Sequence, residues 1–339
     1  MQRTRKYTLS QLSELLPEPD ALANKYTRGK AVLVAGCADY PGAACLAALA
    51  AERTGAGYVE VACAPETVAQ VRFSSPSLVV RPWTQLAEYS KLDPDERGIG
   101  APQLSSGDAS AKLLQHAILA ARPSRLAPRP RVLGPATPKN PMAFLVGSGF
   151  DAADPLSASL TCAVLAAAAA PVVVDGGGLD ALATPEGRLI LRQRFVDGLV
   201  TVITPHAGEA ARLAGALDLP TDDAATLARL LSLAFGVVVM LKGPDTFVSD
   251  GDATYRMSLG TPALAKAGTG DVLAGMTCAL LAQGLDDVDA CMLASTLHAK
   301  AGVAAAKRIG AICVIPTDVI DAIPQAACEL GRARDKASK

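Results

Sequence analysis

Apolar residues in this chain come in two alternating textures. Short β-branched runs are separated by Ala- and Leu-rich stretches of helical length: AVLVA (Ala31 to Ala35), YVEVA (Tyr58 to Ala62), AFLVG (Ala143 to Gly147), VVVD (Val172 to Asp175), VTVI (Val200 to Ile203) and VVVMLK (Val237 to Lys242). Runs without polar alternation are what strands covered on both faces require. Strands alternating with helices in this way predict a doubly wound, mostly parallel α/β sheet flanked by helices on both faces. Ligands in such sheets bind beyond the carboxyl ends of the strands. Gly36, Gly147, Asp175, Thr204 and Lys242 fall at those ends, so one shared crevice is expected.

After Lys242 the texture changes. TFVSDGDATYRMS (Thr246 to Ser258) reads as a hairpin whose turn is Asp-Gly. Two long helices follow, at about Asp271 to Gln283 and Val288 to Lys307, and the first is apolar on every side, which predicts a central position. A further helix is expected to start at Pro155. Between about Ser90 and Pro141 the strand rhythm lapses and prolines and arginines accumulate, apart from one expected helix over Ala109 to Ala121. This reads as a Pro-rich insert in a single domain spanning 1–339, either a surface excursion or a docking segment.

Composition narrows the classes. The 339 residues are 50% hydrophobic, enough for a sizeable core, and 32 basic against 33 acidic residues leave no global field to attract nucleic acid or an anionic membrane. Aromatic residues at 4% also argue against base-stacking surfaces. The basic N-terminus turns acidic before any signal-peptide core, and the longest apolar stretch, from Leu160, is interrupted by Pro171. A cytoplasmic location is expected. Eight cysteines without a C-x-x-C pair are expected to be small buried hydrophobes. Three histidines, none close in sequence to another, make a His/Cys metal cluster improbable.

The strand-end motifs carry the chemistry. In order they are GCADYPGAA from Gly36, VGSGFD from Val146, VVVDGGGLDAL from Val172, TPHAGEAARL from Thr204, LKGPDT from Leu241 and AGTGDVLAG from Ala267. None is a P-loop, because no G-K-[ST] occurs. Gly-Thr-Gly ahead of an apolar helix leaves backbone N–H groups free to hold phosphate, with Asp271 beside them. Asp271 is then a base candidate, or simply a first-turn acid that suits the helix dipole.

Read together, these motifs resemble the NAD(P)H-hydrate dehydratases of the ribokinase-like fold. The resemblance runs from about Thr8 onward, excluding Ser90 to Pro141. It implies repair of hydrated NADH or NADPH with ADP or ATP, assisted by Mg²⁺. It also implies Ala43, Gly149, His206 and Asp271 as substrate contacts. Lys242, Gly243, Pro244, Asp245 and Thr246, with Gly268, Thr269 and Gly270, become the nucleotide-binding residues, and Asp271 the catalytic base. By analogy with related sugar kinases, Glu209 is a metal candidate, and otherwise a first-turn helix acid. An NAD(P)H-hydrate epimerase is a candidate partner, and a homo-oligomer is expected. The family's Gly-Pro-Gly turn is matched by Gly147-Ser148-Gly149, and the chain departs from the family pattern at Gly177, where an aspartate is usual, at Lys266-Ala267 ahead of Gly268, and in the insert before Pro141, which is expected to be peripheral or to cover the site. Asp175 is open to metal, substrate or its own turn, and Lys266 to phosphate or solvent. Two rivals stay open: a small-molecule kinase on the same fold, and a weak nucleotide-binding module in which Gly177 marks lost substrate binding.

Overall fold

The computed structural model describes residues 4–5, 7–85 and 140–337, so the expected helix over Ala109 to Ala121 and nearly all of the Pro-rich insert lie outside the described residues. In chain order the strands are β1 (Lys30–Val34), β2 (Tyr58–Cys63), β3 (Val79–Pro82), β4 (Met142–Val146), β5 (Val172–Val174), β6 (Thr201–Ile203), β7 (Val238–Leu241), β8 (Thr246–Ser249) and β9 (Thr254–Met257). They form one nine-stranded sheet in the order β3-β2-β1-β4-β5-β6-β7-β8-β9. All pairings from β3 across to β7 are parallel, and the final two, β7 with β8 and β8 with β9, are antiparallel. Every expected strand is present. β3 was not expected: its short VVRP run ends in proline and pairs on one side only, as an edge strand can.

The helices are α1 (Leu9–Glu14), α2 (Pro41–Arg53), α3 (Val68–Ser74), α4 (Pro155–Ala167), α5 (Pro185–Val196), α6 (Ala207–Gly215), α7 (Ala224–Phe235), α8 (Thr269–Ala282), α9 (Asp287–Ile309) and α10 (Pro316–Ala337). Alternation along β1 sorts two cores. Ala31 and Leu33 point to the layer of α2, α8, α9 and α10, and Val32 and Val34 to the layer of α4 through α7. The expectation of a central apolar helix holds: every residue of α8 from Val272 to Ala282 is buried. A Cβ on Gly275 would stand 2.1 Å from the Ala47 carbonyl oxygen, so α8 crosses α2 with backbone nearly touching backbone.

The cysteine expectation is met in part and corrected in part. Cys63, Cys162, Cys278 and Cys291 are buried, whereas Cys313 and Cys328 are exposed. Cys313 lies in a single helical turn after α9, and Cys328 on α10 next to the exposed Glu329, positions that face away from the apolar layers. Among the described residues no helix is long and apolar enough to cross a membrane.

Candidate active site

The strand order reverses between β1 and β4, and the loops leaving these two strands are sewn together. Gly36 N–H donates to the Ser148 carbonyl and Cys37 N–H to the Gly149 carbonyl, each at 2.9 Å. Gly149 lies so close to α2 that a Cβ on it would be 2.6 Å from the Ala43 Cβ. The two residues expected to meet substrate here, Ala43 and Gly149, are therefore neighbours across the switch point of the sheet.

β5 ends in Asp175, which is 3% exposed and accepts three side-chain hydrogen bonds. Ser148 Oγ donates to Oδ2 at 3.0 Å, while Thr204 Oγ1 at 2.5 Å and Lys242 Nζ at 2.7 Å both donate to Oδ1. Asp175 makes no side-chain cap to its own Gly-rich turn, so the turn-fixing alternative is not what its carboxylate serves. It is the anchor for Lys242. Burial works against the Lys242 ammonium, but the carboxylates of Asp175, Glu209 and Asp271 outweigh it and raise its pKa above the usual lysine value. The backbone adds precision, because Lys242 N–H donates to the Pro205 carbonyl at 2.8 Å and pairs β7 with the His206 loop.

Lys242 points toward the start of α8: a Cβ on Gly270 would lie 3.4 Å from its Nζ. This helix begins two residues earlier than the apolar run suggests, with Gly268 as N-cap. Gly268 has φ +94°, and a Cβ there would meet Leu46 and Pro316 at 2.6 and 2.9 Å, so only glycine suits both the backbone and the space. The Thr269 hydroxyl donates back to the Leu264 and Lys266 carbonyls and fixes the loop. The Thr269 N–H donates to the Lys266 carbonyl at 3.3 Å, and with no side chain capping the helix the N–H groups that follow it are available to an anion. Asp271, third in the helix, is thus not its cap. Burial and the neighbouring Asp175 charge push its pKa up to about 7, with Lys242 and a hydrogen bond from Ser148 pulling the other way.

These groups open into one cavity of about 800 Å³. Lys242, Gly243, Pro244, Thr246, Gly268, Thr269, Gly270, His206 and Glu209 of the expected site all line it with Asp271. Asp245 does not: its carboxylate is held by Arg256 on β9 at 2.5 Å. Ala43 and Gly149 also lie off the cavity wall, joined to it through Ser148 and Asp175. Lys266 lines the cavity and donates to the Ile312 carbonyl at 3.2 Å. Glu209 and His206 form a reciprocal cap on α6: His206 N–H donates to Glu209 Oε2 at 2.7 Å, and His206 Nδ1 accepts from Gly208 N–H at 3.0 Å. Among the described residues, no group of three or more His, Cys, Asp or Glu side chains could cage a metal.

Sequence reasoning missed two residues. Thr296 and His298 on α9 line the cavity, and Thr296 Oγ1 and His298 Nε2 are buried without a partner. Burial lowers the His298 pKa to about 4, so its ring is neutral. The sequence signal was a serine, a threonine and a histidine, Ser295, Thr296 and His298, inside an otherwise apolar helix stretch. Gly177 also has a structural reason. A Cβ there would stand 2.3 Å from the Phe150 carbonyl oxygen, so this turn needs a residue without a side chain.

Comparison with known proteins fits this geometry. A sequence profile of the NAD(P)H-hydrate dehydratase family matches residues 31–122 and 131–325, which takes the likeness well into the Pro-rich segment. A bifunctional NAD(P)H-hydrate repair enzyme of Salinibacter ruber is 36% identical over 318 residues, 92% of this chain and 51% of the relative. The chain thus spans about half the length of the bifunctional relatives. An ADP-dependent (S)-NAD(P)H-hydrate dehydratase of Xanthomonas campestris is 31% identical over 95% of this chain and 96% of its own length. In fold, the chain is similar to an ADP/ATP-dependent NAD(P)H-hydrate dehydratase of Bacillus subtilis co-crystallised with ATP and Mg²⁺. That match has a TM-score of 0.72, at 23% identity over 97% of this chain and all of the other. With its ribokinase-like sheet, its cavity and its profile match in agreement, the chain belongs to the NAD(P)H-hydrate dehydratase family.

Proposed function

We propose that this protein dehydrates NADH or NADPH hydrate, using ADP or ATP as phosphoryl donor. The observation that carries the reading is the convergence on one cavity of an uncapped helix N-terminus, the Lys242–Asp175 pair and a protonatable Asp271. The N–H groups at the start of α8 and the Lys242 ammonium hold the transferring phosphoryl group, where charge develops. Asp271 takes the proton of the ring hydroxyl as that oxygen attacks phosphorus. The hydroxyl thereby becomes a phosphate ester. The ring nitrogen lone pair expels phosphate, and loss of the adjacent ring proton restores the dihydronicotinamide. A base whose pKa lies near the working pH suits this step.

The supporting residues divide between two parts of the site. Ala43, Gly149 and His206 meet the hydrate, while Gly243, Pro244 and Thr246 contact the nucleotide and Asp245 shapes their loop through Arg256. Among the described residues there is no side-chain cage for a metal, and Mg²⁺ would be carried on the nucleotide phosphates with its waters, as is usual for this cation. Glu209 would be the carboxylate that receives those waters. The bifunctional relatives pair a repair activity of this kind with a second half, which supports an NAD(P)H-hydrate epimerase as partner. A cytoplasmic homo-oligomer is part of the same reading.

The test is incubation of purified protein with NADH hydrate, Mg²⁺ and either ADP or ATP, following dihydronicotinamide absorbance. Recovery of NADH only when nucleotide is present is the expected result. A stable phosphorylated product without NADH would favour a small-molecule kinase instead, and nucleotide binding without any turnover would favour a weak binding module.

A further inference from the structure

Two polar atoms on α9 have no part in the chemistry above. Thr296 and His298 are 1% and 7% exposed and line the cavity, yet among the described residues Thr296 Oγ1 and His298 Nε2 have no hydrogen-bond partner. A buried polar atom left unpaired costs stability, so its presence needs a reason. The threonine is the sharper case. A helix threonine has a partner of its own one turn back, and Thr161 and Thr277 use it, donating to the Ser157 and Leu273 carbonyls at 2.8 Å. Thr296 leaves the equivalent Met292 carbonyl alone. Two residues apart on a helix, Thr296 and His298 do not face each other but flank Ser295 and Ala299, which also line the cavity. Short side chains between two polar flanks leave a place for a flat group.

The charges of the cavity lie elsewhere. Among the described residues they are Asp175, Glu209, Lys242, Lys266 and Asp271, and neither α9 nor the wall from Met257 to Leu264 supplies one, the His298 ring being neutral. These two walls meet where a Cβ on Gly302 of α9 would stand 2.7 Å from the Leu264 side chain. The second also abuts the segment expected to hold nucleotide, since a Cβ on Gly260 would be 2.8 Å from the Pro244 carbonyl oxygen. Phosphates belong with the Lys242 ammonium and the α8 N–H groups. Met257, Leu259, Pro262 and Leu264 beside two lone polar atoms suit the part of a nucleotide that is apolar on its faces and polar at its edge. We propose that this wall of α9 seats the adenine base of the nucleotide, with the Thr296 hydroxyl and the His298 ring nitrogen as the hydrogen-bond partners of its edge. A hydroxyl donates and accepts, and a neutral imidazole nitrogen does either according to its tautomer, so the pair can serve the amino group and a ring nitrogen of the base. The inference rests on the nucleotide dependence proposed above and adds no step to the reaction.

The experiment is calorimetric titration with ADP and with pyrophosphate, which carries the phosphate chain alone. In the unsubstituted protein ADP should bind about tenfold more tightly than pyrophosphate, or better, because only ADP brings apolar surface to the α9 wall. Thr296→Val, near-isosteric but without the hydroxyl, and His298→Leu should each weaken ADP about three- to tenfold, the worth of one hydrogen bond, and leave pyrophosphate within a factor of about two. Thr296→Ser, which keeps the hydroxyl, should stay within about twofold of the unsubstituted protein for both ligands. Thermal unfolding without ligand separates this from a structural role. Thr296→Val removes an unpaired hydroxyl, so the free protein should be as stable as before or more so. ADP no tighter than pyrophosphate in the unsubstituted protein overturns the proposal and needs no variant. So do unchanged ADP affinity in both the Val and Leu variants, an equal loss for ADP and pyrophosphate, and a Ser variant that behaves like Val. NADH recovered from the hydrate by variants with unchanged ADP affinity counts against the base site. ADP binding of the expected pattern without NADH recovery counts against the reaction instead.

Discussion

Asp175, at the end of β5, and Asp271, in the first turn of α8, face the same cavity with opposite surroundings. The β5 region surrounds its carboxylate with two hydroxyls and an ammonium, which tie it in place. At the start of α8 the carboxylate is left in a buried pocket beside another negative charge, and its pKa rises to about 7. Two identical side chains thus differ by the company they keep: Asp175 is an anchor, and Asp271 has the surroundings of the base proposed above. The anchored acid also perturbs the other, since its charge is one of the reasons Asp271 is reluctant to ionise.

The largest effect should come from removing the base. Asp271→Asn keeps size and shape in a helix whose N-cap is Gly268, so fold and nucleotide affinity should survive. Turnover should fall roughly 100-fold or more, because an amide does not accept the hydroxyl proton. Parallel measurement of kcat, nucleotide titration and thermal unfolding decides it: near-normal turnover would make the two acids alike and erase the distinction. Removing the anchor should act mainly on stability. Asp175→Asn strands the Lys242 ammonium, and the cost should be about 2 kcal/mol, below the range for a fully buried pair because Lys242 keeps some exposure. Denaturant unfolding reads that cost. The same variant should also lower the Asp271 midpoint, since a repelling charge has gone.

The base should show itself in stability against pH, and here the sign is opposite to that of an ordinary salt-bridged acid. Asp271 binds its proton more tightly folded than unfolded, from the usual carboxylate value up to about 7. Its contribution is therefore complete at acid pH and is lost as pH rises toward 7. The stability of the unsubstituted protein minus that of Asp271→Asn should fall across this window and level off above it. A difference that rises with pH would show that Asp271 is held ionised in the folded protein. The smallest stability effect is expected at His206. Asn there can still cap α6, so stability should change by no more than roughly 0.5 kcal/mol. KM for the hydrate should nonetheless rise several-fold, and an unchanged KM would reduce His206 to its capping role.

Much of this division was legible in the sequence, for physical reasons. Valine runs without polar alternation can only be strands covered on both sides, so the sheet and the strand-end positions of Asp175 and Lys242 followed directly. Gly-Thr-Gly-Asp before an apolar helix pointed to a helix start without a side-chain cap and with a carboxylate in its first turn, and that is what the structure has at Gly268. β3 escaped notice because an edge strand needs only one paired side and so little apolar signal. The roles within the site were harder to read. Nothing in VVVDGGGLD says that Asp175 reaches across to Thr204 and Lys242, contacts 29 and 67 residues away along the chain. Thr296 and His298 looked like core residues, and only tertiary packing reveals which polar atoms are left at the cavity.

The seat of Gly268 has a consequence for the energetics of binding. Gly268 is wedged against Leu46 on α2 and Pro316 at the head of α10, and is followed by a helix whose Gly275 meets the backbone of α2, so its loop is closely packed. A loop packed this closely would lose little conformational freedom on holding the phosphate of the proposed reaction. Ordering entropy that a flexible glycine-rich loop would surrender on each encounter is here lost once, during folding. The nucleotide's attraction is then free to act on the transferring phosphoryl group rather than on assembling its cradle.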